Sequence, residues 1–263
     1  MATAIVNGVT HGYDEAGTGP PLLLIHAGIA DRRMWDDVMP TLSRAHRVIR
    51  FDLRGYGETP LPDGPFAYTD DAAALLEALG ISCTHVVGVS MGAGVAIDLA
   101  LARPELVDRL VLVAPGLASW DWDETMSAFD DAEEKALGRG DLDEASWLNV
   151  RFWLDGPHRG PDDVDAGLRN KVFQMQRRAF DWENPAAEGS WLVADRHLKL
   201  EQITAPTLVV AGELDQPDFG AIARHIAEGV PNARVEIIPG AAHLPPMETP
   251  EAFGSLVLDF LSG

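Results

Sequence analysis

The stretch Gly88-Val89-Ser90-Met91-Gly92 decides the fold of this chain, because it places a serine between two glycines where a strand pattern gives way to a helix pattern. The run His85-Val86-Val87 precedes it, and the alanine-rich segment 93–102 follows it. On so tight a turn the serine hydroxyl is pushed out of the sheet, and a side chain at either flanking glycine would clash. The first N–H groups of the helix point toward an anion formed beside Ser90. The pattern therefore predicts a nucleophilic serine.

Other apolar runs have the length of buried strands and alternate with segments of helical spacing. The predicted strands are 4–6, 9–13, 21–26, 47–52, 85–89, 110–114, 207–212 and 234–238. The predicted helices are 31–42, 70–79, 91–102, 219–228 and 251–261. Asn7-Gly8 marks a hairpin turn between the first two strands. The alternation predicts an α/β fold, in which a mostly parallel central sheet carries helices on both faces.

The alternation is interrupted in the middle of the chain, which predicts an insertion. Residues 117–200 show no clear strand and contain six of the seven tryptophans. We expect residues 1–116 and 201–263 to form the core, and 117–200 to form a helical cap or lid above the strand ends. Aromatic side chains in a lid would line an apolar substrate pocket. The candidates from the insertion are Trp120, Trp122, Trp147 and Trp153.

A nucleophilic serine needs a base, and the base needs an acid that fixes its tautomer. His243 is the best candidate base, because it lies in a loop of small residues just after the last predicted strand. Asp215 follows the run 207–212, at a strand end where open α/β sheets bind their ligands, and Asp218 is the alternative acid. The order Ser90, Asp215, His243 is the one expected for a nucleophile on such a turn.

These motifs resemble those of the α/β-hydrolase fold superfamily over nearly the whole chain apart from the insertion. The resemblance rests on the Ser90 turn together with His26-Ala27-Gly28, Asp52-Leu53-Arg54-Gly55-Tyr56-Gly57, Gly212-Glu213-Leu214-Asp215, and His243 with Pro245 and Glu248-Thr249-Pro250. Within the superfamily the chain is similar to small serine esterases and lactonases, including the 3-oxoadipate enol-lactonase-like and cofactor-free haloperoxidase-like groups.

The resemblance implies an oxyanion hole made of the backbone N–H groups of Gly28 and Met91. The family usually has glycine directly after the histidine, where this chain has Ala27, so Ile29 is the alternative donor. Ile29 is also a candidate pocket residue. A serine nucleophile argues against haloalkane dehalogenase and epoxide hydrolase chemistry, which use an aspartate.

Composition excludes several classes of partner. The formal net charge is −21, from 41 acidic and 20 basic residues, which disfavours nucleic acid and anionic membranes. The single Cys83 allows no intrachain disulfide, and there is no signal peptide or membrane-spanning run, so a cytoplasmic location is expected. No metal-ligand motif such as HExxH or paired CxxC is present, so neither a metal nor an organic cofactor is expected.

The sequence thus predicts a hydrolase that cleaves a carboxylic ester or lactone of a small, largely apolar substrate through an acyl-enzyme. One alternative is a C–C bond hydrolase or a perhydrolase with the same triad, and another is a ligand sensor whose triad turns over slowly. A substrate carboxylate could be held by one of five arginines, although ordinary surface positions are favoured for them. These are Arg32, Arg33, Arg177, Arg178 and Arg196.

Overall fold

The computed structural model describes residues 2–117, 120–191, 195 and 198–263, and one eight-stranded sheet organises it. The described strands are β1 (Ala2–Val6), β2 (Val9–Ala16), β3 (Pro21–Ile25), β4 (Arg47–Phe51), β5 (Gly64–Ala67), β6 (Thr84–Val89), β7 (Val107–Val113), β8 (Ala187–Ser190), β9 (Thr207–Gly212) and β10 (Ala233–Ile238). The sheet order is β1-β2-β4-β3-β6-β7-β9-β10. β2 pairs antiparallel with both β1 and β4, and the remaining pairs are parallel. The predicted sheet is therefore confirmed.

Helices cover both faces of this sheet. The described α-helices are α1 (Met39–Leu42), α2 (Tyr68–Ala78), α3 (Met91–Ala102), α4 (Glu124–Gly138), α5 (Leu142–Asn149), α6 (Ala166–Asp181), α7 (Pro217–Gly229), α8 (Pro245–Glu248) and α9 (Pro250–Ser262). Successive residues of β3 belong to two different buried clusters. Leu23 belongs to the cluster that contains residues of α2, α3 and α7, and Leu24 belongs to the cluster that contains residues of α1 and α9. Side chains alternate across a strand, so these clusters lie on opposite faces.

The hairpin turn has the conformation that its sequence predicts. Asn7 and Gly8 have φ angles of 48° and 77°, as a two-residue type I′ turn requires. The predicted helix 31–42, in contrast, is wrong as a single element. A 3₁₀ turn (Arg32–Trp35) is followed by the short α1. Pro40 has no N–H to donate to residue 36, so a continuous helix cannot pass this point.

The stretch between β7 and β9 is mainly helical, but it also contains a strand that the sequence did not indicate. We call its described residues 120–191 the inserted segment. It holds α4, α5, the π-helical turn Val150–Asp155, α6 and β8. β8 pairs in parallel with β5, far away in the chain. The short and polar β8 offers no apolar alternation by which the pairing could be predicted. Within the described parts of the chain, no helix is long and apolar enough to cross a bilayer.

Besides His243, four described histidines are buried, namely His11, His26, His46 and His85. Burial lowers the pKa of each imidazole, because the charged form would lose its hydration. The His26 ring shows the consequence, since its Nε2 accepts from the Leu53 N–H at 3.0 Å and its Nδ1 lies 2.8 Å from the Ala27 carbonyl oxygen. A neutral ring with the proton on Nδ1 satisfies both contacts.

We expect the folded state to lose stability as the pH falls below about 6.5, the ordinary imidazole pKa. Below this pH the unfolded chain binds protons that the buried rings resist, so their contribution is complete above it and is lost toward the lowered folded-state values. His46→Gln should flatten the dependence by up to about 1.4 kcal/mol per pH unit, as measured by urea unfolding between pH 7.5 and 5.5. The exposed His225→Gln is the control. Equal slopes for both variants would contradict the explanation.

Candidate active site

Ser90 lies in a strained turn between β6 and α3. Its φ and ψ angles are 53° and −113°, in a region that residues other than glycine rarely occupy. The turn is held on both sides, because the Ser90 N–H donates to the Val113 carbonyl at 2.8 Å while its own carbonyl accepts from Ala93 and Gly94. A non-glycine residue kept in such a conformation is typical of a functional position.

The two flanking glycines are required by the close approach of other backbone atoms. A β-carbon at Gly88 would lie 2.2 Å from the carbonyl oxygen of Gly92. A β-carbon at Gly92 would lie 2.4 Å from the Ile25 carbonyl oxygen and 2.5 Å from that of His26. The steric reason inferred from the sequence thus applies, and the second contact also packs the loop after β3 against the start of α3.

The structure brings His243 and Asp215 together in a buried pair. The distance between His243 Nδ1 and Asp215 Oδ2 is 2.9 Å, and the residues are 1% and 5% exposed. The other carboxylate oxygen, Oδ1, accepts from the Gln216 N–H at 2.8 Å. A carboxylate at Nδ1 holds the ring proton there and leaves Nε2 as an acceptor. Asp218, the alternative acid, instead accepts from the Trp120 indole N–H at 3.2 Å.

A glycine also allows the loop of His243 to approach the strand that precedes Asp215. A β-carbon at Gly212, the last residue of β9, would lie only 2.0 Å from the Ala242 carbonyl oxygen. Glu248 then fixes the loop on both sides of His243, because its carboxylate accepts from the N–H groups of Ala242 and Leu244 at 2.9 and 2.8 Å. Arg159 of the inserted segment pairs with Glu248 at 2.5 Å, although burial raises the pKa of this carboxyl group.

Ser90 opens into a cavity of about 360 Å³, and His243 packs against two of its walls. The rings of Trp153 and Phe219 line this cavity, and each has its centroid 4.5 Å from that of His243. The described lining residues are Ser90, Met91, Gly94, Gly116, Leu117, Trp122, Met126, Asp130, Trp153, Trp191 and Phe219. Ser90 therefore lines the cavity directly, and His243 packs against two aromatic rings that line the same cavity.

Two of the five predicted pocket residues, Trp122 and Trp153, lie in the wall of this cavity. The other three lie elsewhere. Ile29 is buried in a core cluster, Trp120 packs against His225, and Trp147 stacks on Phe173 with 4.6 Å between centroids. An aromatic side chain that covers core surface looks the same in a sequence as one that faces a pocket.

Several lining residues were missed from the sequence. Phe219 carried no motif, and Met126 and Asp130 lie in a stretch that reads as a solvated acidic helix, whereas Trp191 belongs to the aromatic residues of the insertion for which a lid is predicted. Met126 and Asp130 are four residues apart, so they share one face of α4. That spacing is the one signal from which they could have been found.

The two candidate oxyanion donors lie next to each other. A β-carbon at Gly28 would be 3.6 Å from the Cβ of Met91 and 3.7 Å from the Tyr56 hydroxyl. Ala30 N–H donates to the Ala27 carbonyl at 3.1 Å, which closes a turn around Gly28 and Ile29. Met91 is the first residue of α3, so its N–H has no acceptor within the helix.

The arginines proposed for a substrate carboxylate bind groups of the protein itself. Arg32 contacts three carboxylates, Arg33 pairs with Asp31, Arg177 pairs with Asp143 and Asp181, and Arg178 donates to the Gly57 carbonyl. None of these four is among the described residues that line the Ser90 cavity. Arg196 lies outside the described residues.

Comparisons with known proteins show the family to which the chain belongs. Residues 20–250 fit the family model described as alpha/beta hydrolase fold. This chain belongs to the α/β-hydrolase family. The chain is 32% identical to BpoC of Mycobacterium tuberculosis, whose name assigns it provisionally to the non-heme bromoperoxidases, over 95% of this chain and 97% of that protein.

Two further relatives of this α/β hydrolase have different activities in their names. The 2-hydroxymuconate semialdehyde hydrolase of Pseudomonas sp. (strain CF600) is 28% identical, over 98% of this chain and 92% of that protein. A thermophilic esterase from Thermogutta terrifontis has a structure with a TM-score of 0.81 and 26% identity, over 99% of this chain and 96% of that one. The comparisons therefore establish the family of this chain, and the names of its relatives give different activities.

Among the described residues of this α/β hydrolase, no group of three or more histidine, cysteine, aspartate or glutamate side chains is arranged to hold a metal ion. The described part of the site consists of a strained serine, a buried imidazole–carboxylate pair and a cavity with several aromatic rings in its wall.

We expect Gly92→Ala to lower the free energy of unfolding by about 2–3 kcal/mol, because the new β-carbon overlaps two carbonyl oxygens of the β3 segment. Gly138→Ala is the matched control. It lies at the end of α4 with nothing within 4 Å of a β-carbon, and alanine there should be neutral or stabilising by up to about 1 kcal/mol. Urea unfolding of both variants measures the difference, and an equally stable Gly92→Ala variant would refute the steric argument.

Proposed function

We propose that this α/β hydrolase is a serine hydrolase that cleaves a carboxylic ester or lactone of a small, largely apolar substrate. The observation that carries the proposal is the shared cavity. Ser90 lines it, and the two rings that hold His243 line it as well. Its remaining described walls are mostly apolar, which suits a small acyl chain or ring.

In the proposed mechanism, the Ser90 Oγ attacks the substrate carbonyl carbon while Nε2 of His243 accepts the hydroxyl proton. Asp215 holds the proton on Nδ1 and stabilises the imidazolium that forms. The imidazolium then gives its proton to the departing alkoxide, and an acyl-enzyme remains. A water molecule that transfers its proton to His243 attacks the acyl carbon and releases the acid.

The negative oxygen of each tetrahedral intermediate would be stabilised by the N–H groups of Gly28 and Met91. We prefer Gly28 over Ile29 as the first donor because of its position directly beside Met91. Fixed donors of this kind contribute about 3–4 kcal/mol each to transition-state stabilisation. The strained conformation of Ser90 keeps the hydroxyl at the mouth of this site.

Residues 117–200 would form the lid over the core of residues 1–116 and 201–263. Three contacts support this division. Met126 of α4 and Trp153 of the π-helical turn line the cavity opposite Ser90, and the Trp153 carbonyl accepts from the His243 N–H at 3.3 Å. A lid in this position would exclude water from the acyl-enzyme until the alcohol has left.

Cleavage of a carbon–carbon bond is the second candidate, because one relative is named as 2-hydroxymuconate semialdehyde hydrolase. The same three residues would serve that reaction. A panel of p-nitrophenyl esters, lactones and vinylogous 1,5-diketones separates the two candidates, since the preferred substrate shows the larger kcat/KM.

Ser90→Ala should abolish the turnover of p-nitrophenyl acetate, with a loss of kcat on the order of 10⁴–10⁶, because the attacking oxygen is removed. Circular dichroism should show an unchanged fold. Ser255→Ala, at an exposed position of α9, is the control and should keep full activity. Retained turnover in Ser90→Ala would identify another nucleophile. Rapid labelling of Ser90 by a fluorophosphonate without turnover of any ester would favour the ligand sensor instead.

A further inference from the structure

Asp130 is the one acidic or basic side chain among the described residues that line the Ser90 cavity. Asp130 lies at an exposed position of α4, and the rings of Trp122, Trp153, Trp191 and Phe219 line the same cavity. No arginine or lysine of the described wall offsets its charge. The same cavity wall therefore contains one acidic side chain and several aromatic rings.

The surroundings of Asp130 make the cavity more negative. None of the ion pairs found between described residues involves Asp130. Glu133 and Glu134, three and four residues further along α4, share its helix face, and the Glu133 carboxylate is held by the Asn149 side-chain amide. Partial burial and, to a smaller extent, the charge of Asp131 raise the pKa of Asp130. Because none of the described ion pairs engages it, the Asp130 carboxylate is available to a ligand.

These two features favour the same kind of ligand group. The faces of tryptophan and phenylalanine rings attract a cation through their quadrupole, and a carboxylate attracts it by charge. The same carboxylate repels an anion. The formal net charge of −21 also concentrates cations near the surface, and a negatively charged cleft attracts them further.

We propose that this cavity selects ester or lactone substrates that carry a protonated amino group or a quaternary ammonium group, and that Asp130 is the residue that determines this preference. The proposal rests on the proposed function, because it assigns the substrate class of the same site. It also explains why four of the arginines considered for a substrate carboxylate can bind groups of the protein itself. A cationic substrate would not need an arginine in the pocket.

The first test measures binding and does not depend on turnover. Isothermal titration of the full chain with phenyltrimethylammonium should show binding that Asp130→Asn weakens about fivefold, the upper scale of an exposed charge pair, while the cation–π contacts remain. Phenylacetate, an anion of similar size, should bind far more weakly to the unmodified protein. Glu134→Gln is the control, since it removes the same charge from an exposed position of α4 that does not line the cavity.

The second test compares esters that differ only in charge. Choline butyrate and 3,3-dimethylbutyl butyrate differ in a nitrogen for a carbon at the alcohol end. The p-nitrophenyl esters of 4-(trimethylammonio)butanoate and 5,5-dimethylhexanoate differ in the same way at the acyl end. We expect kcat/KM to favour the cationic member of at least one pair by about tenfold, and Asp130→Asn but not Glu134→Gln to reduce this preference about fivefold.

The outcomes separate this inference from the proposed function. Hydrolysis of the neutral esters without preference for a cation in either pair would overturn the role of Asp130 and leave the esterase proposal intact. An equal loss of preference in both variants would assign it to net charge and also overturn the inference. Binding of phenyltrimethylammonium that requires Asp130, without hydrolysis of any ester, would support the subsite and contradict the esterase.

Discussion

The structure depends on the close approach of backbone segments at three glycines. At Gly88, Gly92 and Gly212, a β-carbon would lie within 2.4 Å of a carbonyl oxygen from another part of the site. These approaches pack the turn of Ser90 against the loop after β3, and the end of β9 against the loop of His243. Catalytic groups must be fixed before the reaction to stabilise its charges. Because these glycines have no side chain, the backbone segments can approach closely enough to hold the candidate catalytic groups in place.

The parts of the fold that depend on near neighbours could be predicted from the sequence. The apolar runs of the central strands, the Asn7-Gly8 turn and the strand-to-helix turn at Ser90 each follow from a few adjacent residues. The pairing of β5 with β8 could not, because it joins segments far apart in the chain that carry little apolar pattern. The apolar periodicity of residues 31–42 predicts one continuous helix, whereas Pro40 interrupts it in the structure.

The candidate site likewise has a part that could be predicted from the sequence and a part that could not. The motif and chain order indicated Ser90, Asp215 and His243, and the contact between the last two is a result of the folded structure. The wall of the cavity was harder to predict, because a tryptophan gains free energy whether it covers the core or faces a pocket. Trp122 lines the cavity, whereas Trp147 stacks on Phe173. Which surface each ring contacts depends on how the helix or loop that carries it is rotated.

The inserted segment is joined to the loops of both the acid and the base, so the cavity wall and the candidate catalytic groups are mechanically coupled. The Phe152 carbonyl accepts from the Gln216 side chain beside Asp215, and the next carbonyl, that of Trp153, accepts from the His243 N–H. Both carbonyls belong to the π-helical turn, a type of local distortion that is frequent at functional sites.

This coupling limits how the α/β hydrolase can change its substrate. Residues of α4 such as Met126 and Asp130 line the cavity without a described bond to the loops of Asp215 or His243, so they can be exchanged without moving either side chain. Trp153 both lines the cavity and supports His243, so a change that shifts its backbone would alter the base as well. Substrate preference is therefore more easily altered from α4 than from the π-helical turn.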